Sequence, residues 1–230
     1  MKMKDHENGY VERMNIQFRV QHIILFLSLI VLAITGLALY LHDSWLGRLL
    51  INLEGGIEAR GKIHRITAMV LIILSAYHLC YILFSKTGHD EFLKILVRWQ
   101  DFQDFIQDIL YSLNITPTHA EFEKYSYREK FQYWGAITGV IIMSITGLIL
   151  WFKEISMSVL PKWCIDLTFV IHGSAGLIIF FVLFVWHIYD VHLSPFNFPM
   201  DWSWITGKIS LEKLKKRHYK EYLKITGEKE

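Results

Sequence analysis

The stretch IHRITAMVLIILSAYHL, residues 63–79, places two histidines, His64 and His78, fourteen residues apart in a largely apolar run. It belongs to one of four blocks nearly free of Asp, Glu, Lys and Arg: Val20–Leu41, Ile66–Phe84, Tyr133–Phe152 and Leu167–Tyr189. Each block is about 20 residues, and a helix of that length crosses the roughly 30 Å hydrocarbon core of a bilayer. Backbone polar groups in lipid must be satisfied within the segment, so these runs predict helices. The expected fold is an all-α, integral membrane four-helix bundle. Its helices cover about 20–41, 64–84, 133–152 and 167–190, with a tail over 191–230, the whole of 1–230 forming one domain.

Composition agrees. The 230 residues are 53% hydrophobic and 15% aromatic, above the usual range for a soluble domain. The first block is longer than a signal-peptide core, and "ALYLHDSW" follows it in place of a small-x-small cleavage site. It is therefore expected to persist as a helix. Segments 1–19, 85–132 and the tail hold 18 of the 24 Lys and Arg residues. The positive-inside rule puts these segments, and both termini, in the cytoplasm. Lys213, Lys215, Lys216 and Arg217 are expected to meet anionic lipid headgroups. Cys80 and Cys164 give no disulfide framework, no C-x-x-C-H haem attachment and too few thiolates for an iron–sulfur cluster. No nucleotide motif is present, and nucleic acid is not an expected partner.

Between the second and third helices, Phe92, Leu96, Trp99, Phe102, Ile106 and Leu110 recur at helical steps, with Asp101, Asp104 and Asp108 on the other face. This predicts a cytoplasmic amphipathic helix lying on the membrane surface or against a partner, or equally a solvated helix packed on the ends of the bundle. The chain also repeats itself. "ITGLALYL" (34–41) matches "ITGLILWF" (145–152), "IHRITA" (63–68) matches "IHGSAG" (171–176), and "YHL" (77–79) matches "WHI" (186–188), at offsets of 111, 108 and 109 residues. Three matches in one order describe a duplicated helix pair.

Five of the eleven histidines lie in or at the ends of the apolar blocks: His22, His64, His78, His172 and His187. His6, His89, His119 and His218 lie in polar segments and read as surface residues. At about 100° and 1.5 Å per residue, His64 and His78 fall about 40° apart and about 21 Å along one helix. His172 and His187, fifteen apart, fall about 60° apart and about 22 Å along another. Two such helices facing each other make two His/His pairs stacked across the bilayer, the donor set of bis-histidine haem. A lone intramembrane histidine is usually a polar residue hydrogen-bonded between helices, but four at matched depths exceed that account. Zinc fits less well, because no Cys or carboxylate completes either pair. Gly36, Gly147 and Gly176 could admit a flat macrocycle or simply pack helices. Lys62 and Arg65 flank His64 and Arg19 precedes His22, where cations could pair with haem propionates or snorkel to headgroups.

The motifs "FRVQHIILFLSLIVLAITGL", "GKIHRITA", "REKFQYWGAITGVIIMSITGLILW", "IHGSAGLIIFFVLFVWHIY" and "FPMDWSWITGKISLEKLKKRHYKEY" resemble the membrane cytochrome b subunits of formate dehydrogenases, nickel–iron hydrogenases and related quinone-linked complexes. The resemblance covers about residues 15–222, and "KYSYREKFQYW" looks most like the branch that partners multihaem cytochromes c. It implies four helices, two non-covalent b-type haems and electron transfer between quinone or menaquinone and an extracytoplasmic redox subunit. That subunit would be a dehydrogenase, an iron–sulfur protein or a multihaem cytochrome c. In the formate dehydrogenase type the matching ligands are His22 with His187 and His64 with His172. The 14/15 spacing is instead similar to the cytochrome b of quinol–cytochrome c reductases, and with the internal repeat it favours His78 with His187. His22 and His78 thus compete for one site, the loser lining it. The resemblance also implies a quinone site on the cytoplasmic side, with His22, His192 and Asp190 as candidate proton groups. The competing functions are a stand-alone transmembrane reductase of the ascorbate or ferric type and a non-redox membrane anchor or transporter.

Overall fold

In the computed structural model, residues 9–194, 197–198 and 200–228 are described, and four helices are long and apolar enough to cross a membrane. A short strand β1 (Tyr10–Glu12) precedes the first, α1 (Ile16–Tyr40). After α2 (Trp45–Leu53) comes the second, α3 (Ile57–Phe84). Two helices, α4 (Lys86–Ile95) and α5 (Trp99–Ser112), occupy the connection to the third, α6 (Tyr127–Trp151). The short α7 (Lys153–Val159) leads to the fourth span, Lys162–Leu193. That span starts as α8 (Lys162–Phe181) and continues in π-helical turns over Val182–His187 and Tyr189–Leu193. The chain ends in α9 (Ser203–Thr206), β2 (Lys208–Ser210), α10 (Leu211–Arg217) and α11 (Tyr219–Thr226). All four expected spans are present.

The chain divides into two compact units. One comprises Val20–Leu79 and Ala136–Asp190, the apolar bulk of the four spans. Its polarity is inverted relative to a soluble domain. The buried residues of α1 are Gln21, Ser28, Thr35 and Ala38, while Phe26, Leu27, Ile34 and Leu39 are exposed. Small and polar side chains at the helix interfaces, with aliphatic ones facing outward, suit a protein whose solvent is hydrocarbon.

The other unit comprises residues up to Arg19, Cys80–Gly135 and Val191 onward. Here β1 pairs antiparallel with β2, Val11 opposite Ile209, so segments from the two ends of the chain share one ribbon. Val11 and Ile209 bury against Leu214 of α10 and Tyr222 of α11. Several buried charges are paired here. Lys130 Nζ donates to both oxygens of Asp101 at 2.8 and 2.9 Å, and removing one member of such a pair costs about 3–5 kcal/mol.

Two expectations change in this unit. The helix predicted through residues 90–113 breaks at Leu96–Arg98, and α5 restarts with Asp101 Oδ2 accepting the Arg98 N–H at 2.6 Å. The acidic face of α5 is docked rather than solvated: Asp101 and Asp104 are buried, and Asp108 accepts from Ala120 N, Tyr127 Oη and Arg128 Nη2. Trp99, Phe102 and Ile106 are exposed. His218, expected at the surface, is only 2% exposed. It lies in a polar segment whose partners come from distant sequence: Nδ1 donates to Glu123 O at 2.8 Å, and Nε2 accepts from Arg13 Nη2 at 3.2 Å. Arg13 in turn donates to Glu129 at 2.8 Å. His89 and His119 are exposed as expected, and His6 lies outside the described residues.

Burial, then the adjacent Arg13 guanidinium, pushes the His218 imidazole down to about 4. The unfolded chain therefore binds the proton first, and this unit loses stability as pH falls from about 6.5 toward 4, by on the order of 3 kcal/mol, with no effect above pH 7. Thermal unfolding in detergent at pH 7.5 and pH 5, compared with that of His218→Gln, checks this: the variant should have the shallower pH dependence.

Candidate functional site

Five histidines of the spans fall within the unit formed by Val20–Leu79 and Ala136–Asp190. The rings of His64 on α3 and His172 on α8 oppose each other, with centroids 6.4 Å apart. The rings of His22 on α1 and His187 in the fourth span oppose each other at 6.3 Å. Imidazole–metal bonds run about 2.0–2.1 Å, and a ring nitrogen lies about 1.2 Å from its centroid, so two imidazoles sharing one metal stand about 6.4 Å apart. Among the described residues no group of three or more His, Cys, Asp or Glu could hold a metal ion, so these pairs are the donor sets on offer.

Hydrogen bonds fix the tautomers of the first pair. Thr35 Oγ1 donates its one proton to the carbonyl of Val31, four residues back on α1, at 2.8 Å. It can then only accept from His64 Nδ1, which lies 2.7 Å away. Thr146 Oγ1 likewise donates to Ile142 O at 2.6 Å and faces His172 Nδ1 at 2.8 Å. Both imidazoles carry their proton on Nδ1 and keep Nε2 as a bare lone pair, the form a metal binds. The glycine after Thr146 makes room for the His172 ring, whereas a side chain after Thr35 would meet the His64 ring only in ordinary contact. A Cβ at Gly147 would stand 3.2 Å from His172 Cε1, and one at Gly36 would stand 3.9 Å from His64 Cε1. Gly176 instead faces Met143 Cε, at 3.3 Å from a built Cβ, which is helix packing.

At the other level the ring shown facing His187 is that of His22. His78 Nδ1 donates to Gln21 Oε1 at 2.7 Å. The fifteen-residue step from His172 to His187 has a physical basis in the π-helical turns over Val182–His187. A π turn takes up an extra residue, so the step behaves like a shorter α-helical one and changes the direction in which His187 points.

Three cations near these levels have protein partners. Arg60, one turn before His64, donates from Nη1 to the Thr35 carbonyl at 2.6 Å, behind the Thr35–His64 bond. Sequence reasoning passed over Arg60 for its neighbours, although its i, i+4 relation to His64 was available as a signal. Arg65 lies over the Trp151 ring, 5.8 Å from its centroid. Arg19, in the other unit, donates to the Ile205 carbonyl at 2.7 Å. His192, in that same unit, lies 6.3 Å from the Trp204 ring, and Asp190 is buried.

A sequence profile described as prokaryotic cytochrome b561 matches residues 2–99 and 92–196 of the chain. No individual curated protein matches it. Members of this family are membrane cytochromes b that bind b-type haem, carry electrons and generally partner redox subunits. With four apolar membrane-length helices and a profile match over most of its length, the chain belongs to the prokaryotic cytochrome b561 family of membrane electron-transfer proteins.

Proposed function

We propose that the chain is a dihaem cytochrome b subunit, carrying electrons between the quinone pool and an extracytoplasmic redox subunit. The observation that carries this reading is the presence of two opposed imidazole pairs at 6.4 and 6.3 Å, the separation at which two imidazoles hold one metal atom. His64 and His172 hold one haem. His22 and His187 hold the second, and the Gln21 hydrogen bond keeps His78 beside that site as a positioning residue. Haem supplies one-electron redox chemistry, and the chain supplies ligands, orientation and a low-dielectric sheath.

Each residue role follows from its surroundings. Thr35 and Thr146 hold the imidazoles in the ligating tautomer, and Arg60 places positive charge near the His64/His172 site. Gln21 is 7% exposed, and its Nε2 has no hydrogen-bond partner among the described residues. That orphaned donor suits a quinone oxygen near the His22/His187 site. The charge asymmetry of the loops supports a cytoplasmic location for both termini, and the β1–β2 ribbon supports placing them on one side. The exposed apolar residues of α5 then lie on the cytoplasmic bilayer surface, and the redox partner docks on the opposite face around 42–65 and 153–166.

Haem content decides the second pair. By pyridine haemochrome, His22→Ala and His187→Ala should each lose one of two haems while His78→Ala keeps both. Loss of a haem in His78→Ala with retention in His22→Ala would return the ligand role to His78. Thr35→Val should weaken haem binding at the His64/His172 site by about 10–100-fold and shift its midpoint potential, while Thr35→Ser, which keeps the hydroxyl, should match the parent. A redox titration of the purified membrane protein reads both.

A further inference from the structure

Helix α3 carries a second stripe that faces away from the imidazoles. Lys62, Arg65, Ile66, Met69 and Ile73 lie at three- and four-residue steps and, with Trp151 of α6, line an open groove of about 390 Å³. Ile66, Met69 and Ile73 are exposed, as expected of a lipid-facing surface, and the depression they line is shallow and open. Its two cations sit at one end. From Lys62 to Ile73 the helix rises about 16 Å, close to half of the roughly 30 Å hydrocarbon core, which is one leaflet.

The charged end has the chemistry of a headgroup site. Neither Lys62 nor Arg65 has a carboxylate within ion-pairing distance among the described residues, although Glu58 lies one turn before Lys62 on the same helix. The Arg65 guanidinium is held by its position over Trp151, which stacks at 5.5 Å on Phe152 at the end of α6. Tryptophan at the end of a membrane span marks the headgroup level. Two unpaired cations at that level, above an apolar trough one leaflet deep, complement a phosphodiester with an acyl chain below it. Arg65 and Lys62 donate to the phosphate, and the chain runs past Ile66, Met69 and Ile73.

We propose that this groove is a specific site for an anionic diacyl phospholipid, its phosphate between Lys62 and Arg65 and one acyl chain along α3. The test uses the full-length, haem-loaded protein in mild detergent, challenged with dioleoyl phosphatidylglycerol or dioleoyl phosphatidylcholine and read by native mass spectrometry. The parent should retain phosphatidylglycerol at least tenfold more than phosphatidylcholine. The double variant Lys62→Gln/Arg65→Gln should lose that preference while keeping its full haem content. Met69→Trp, which fills the trough and leaves both cations in place, should also lose the lipid. Three results would overturn the site: equal retention of the two lipids by the parent, undiminished phosphatidylglycerol binding by the double variant, or release of a bound quinone by that variant in place of phospholipid. A shift in haem potential with lipid retention intact would overturn it too, returning Arg65 to the haem propionates.

Discussion

A threonine hydroxyl has one proton to give, and in this protein two threonines give it to their own helices. Thr35 donates to Val31 O and Thr146 to Ile142 O, so each must accept from the imidazole beside it. That constraint decides the tautomer of His64 and His172, the aim of their rings and the nitrogen left bare. In a hydrocarbon interior such a bond is hard to replace. Its net worth is on the order of 1 kcal/mol, but an imidazole N–H buried without it costs about 1–3 kcal/mol. The adjoining glycine belongs to the same device, since a side chain at 147 would press on the ring that Thr146 holds. The threonine, present in both halves of the repeat, is thus a histidine clamp built into the neighbouring helix, and the glycine adds to it only at 147.

The two compact units are stabilised by opposite arrangements of the same groups. Around Val20–Leu79 and Ala136–Asp190, aliphatic side chains face outward and the interior holds Gln21, Ser28 and Thr35, spaced seven residues apart on one side of α1. Around β1, β2 and the segments near them, a small apolar core is surrounded by buried ion pairs and hydrogen bonds such as Lys130–Asp101 and Arg13–Glu129. Lipid on one set of surfaces and water on the other accounts for the inversion. Burial of apolar area gains nothing where the solvent is apolar, so close packing and hydrogen bonds must hold the spans together.

That inversion also explains what could be read from the chain. Span number, span length and the depth of each histidine follow from runs of apolar residues and from 1.5 Å per residue, and all are legible in sequence. Helical arithmetic gives the face of each helix but not which helices are neighbours. His22, His78 and His187 lie at one level, and periodicity alone left the partner of His187 open. The π-helical turns before His187 changed its direction by an amount no fixed 100° step contains. His218 failed differently. Its segment is polar because its partners are Arg13 and Glu123, about two hundred and one hundred residues away, and local composition cannot separate a polar residue that is solvated from one that is enclosed.

The repeat is kept at one level and broken at the other. Thr35/His64 maps onto Thr146/His172, and both imidazoles there have the same acceptor in the same place. At the other level the counterpart of His22 is Tyr133, and His78, the counterpart of His187, is bonded to Gln21 while His187 opposes His22. In the proposed assignment this asymmetry has a use. A duplicated helix pair with full symmetry would give two sites with equivalent ligands and matched surroundings, and hence no built-in difference in potential. Drawing one ligand from α1 frees an imidazole and an amide, His78 and Gln21, to shape the surroundings of a single site. In that assignment the difference between the two sites comes from which helix of the first half, α1 rather than α3, supplies the ligand opposite His187.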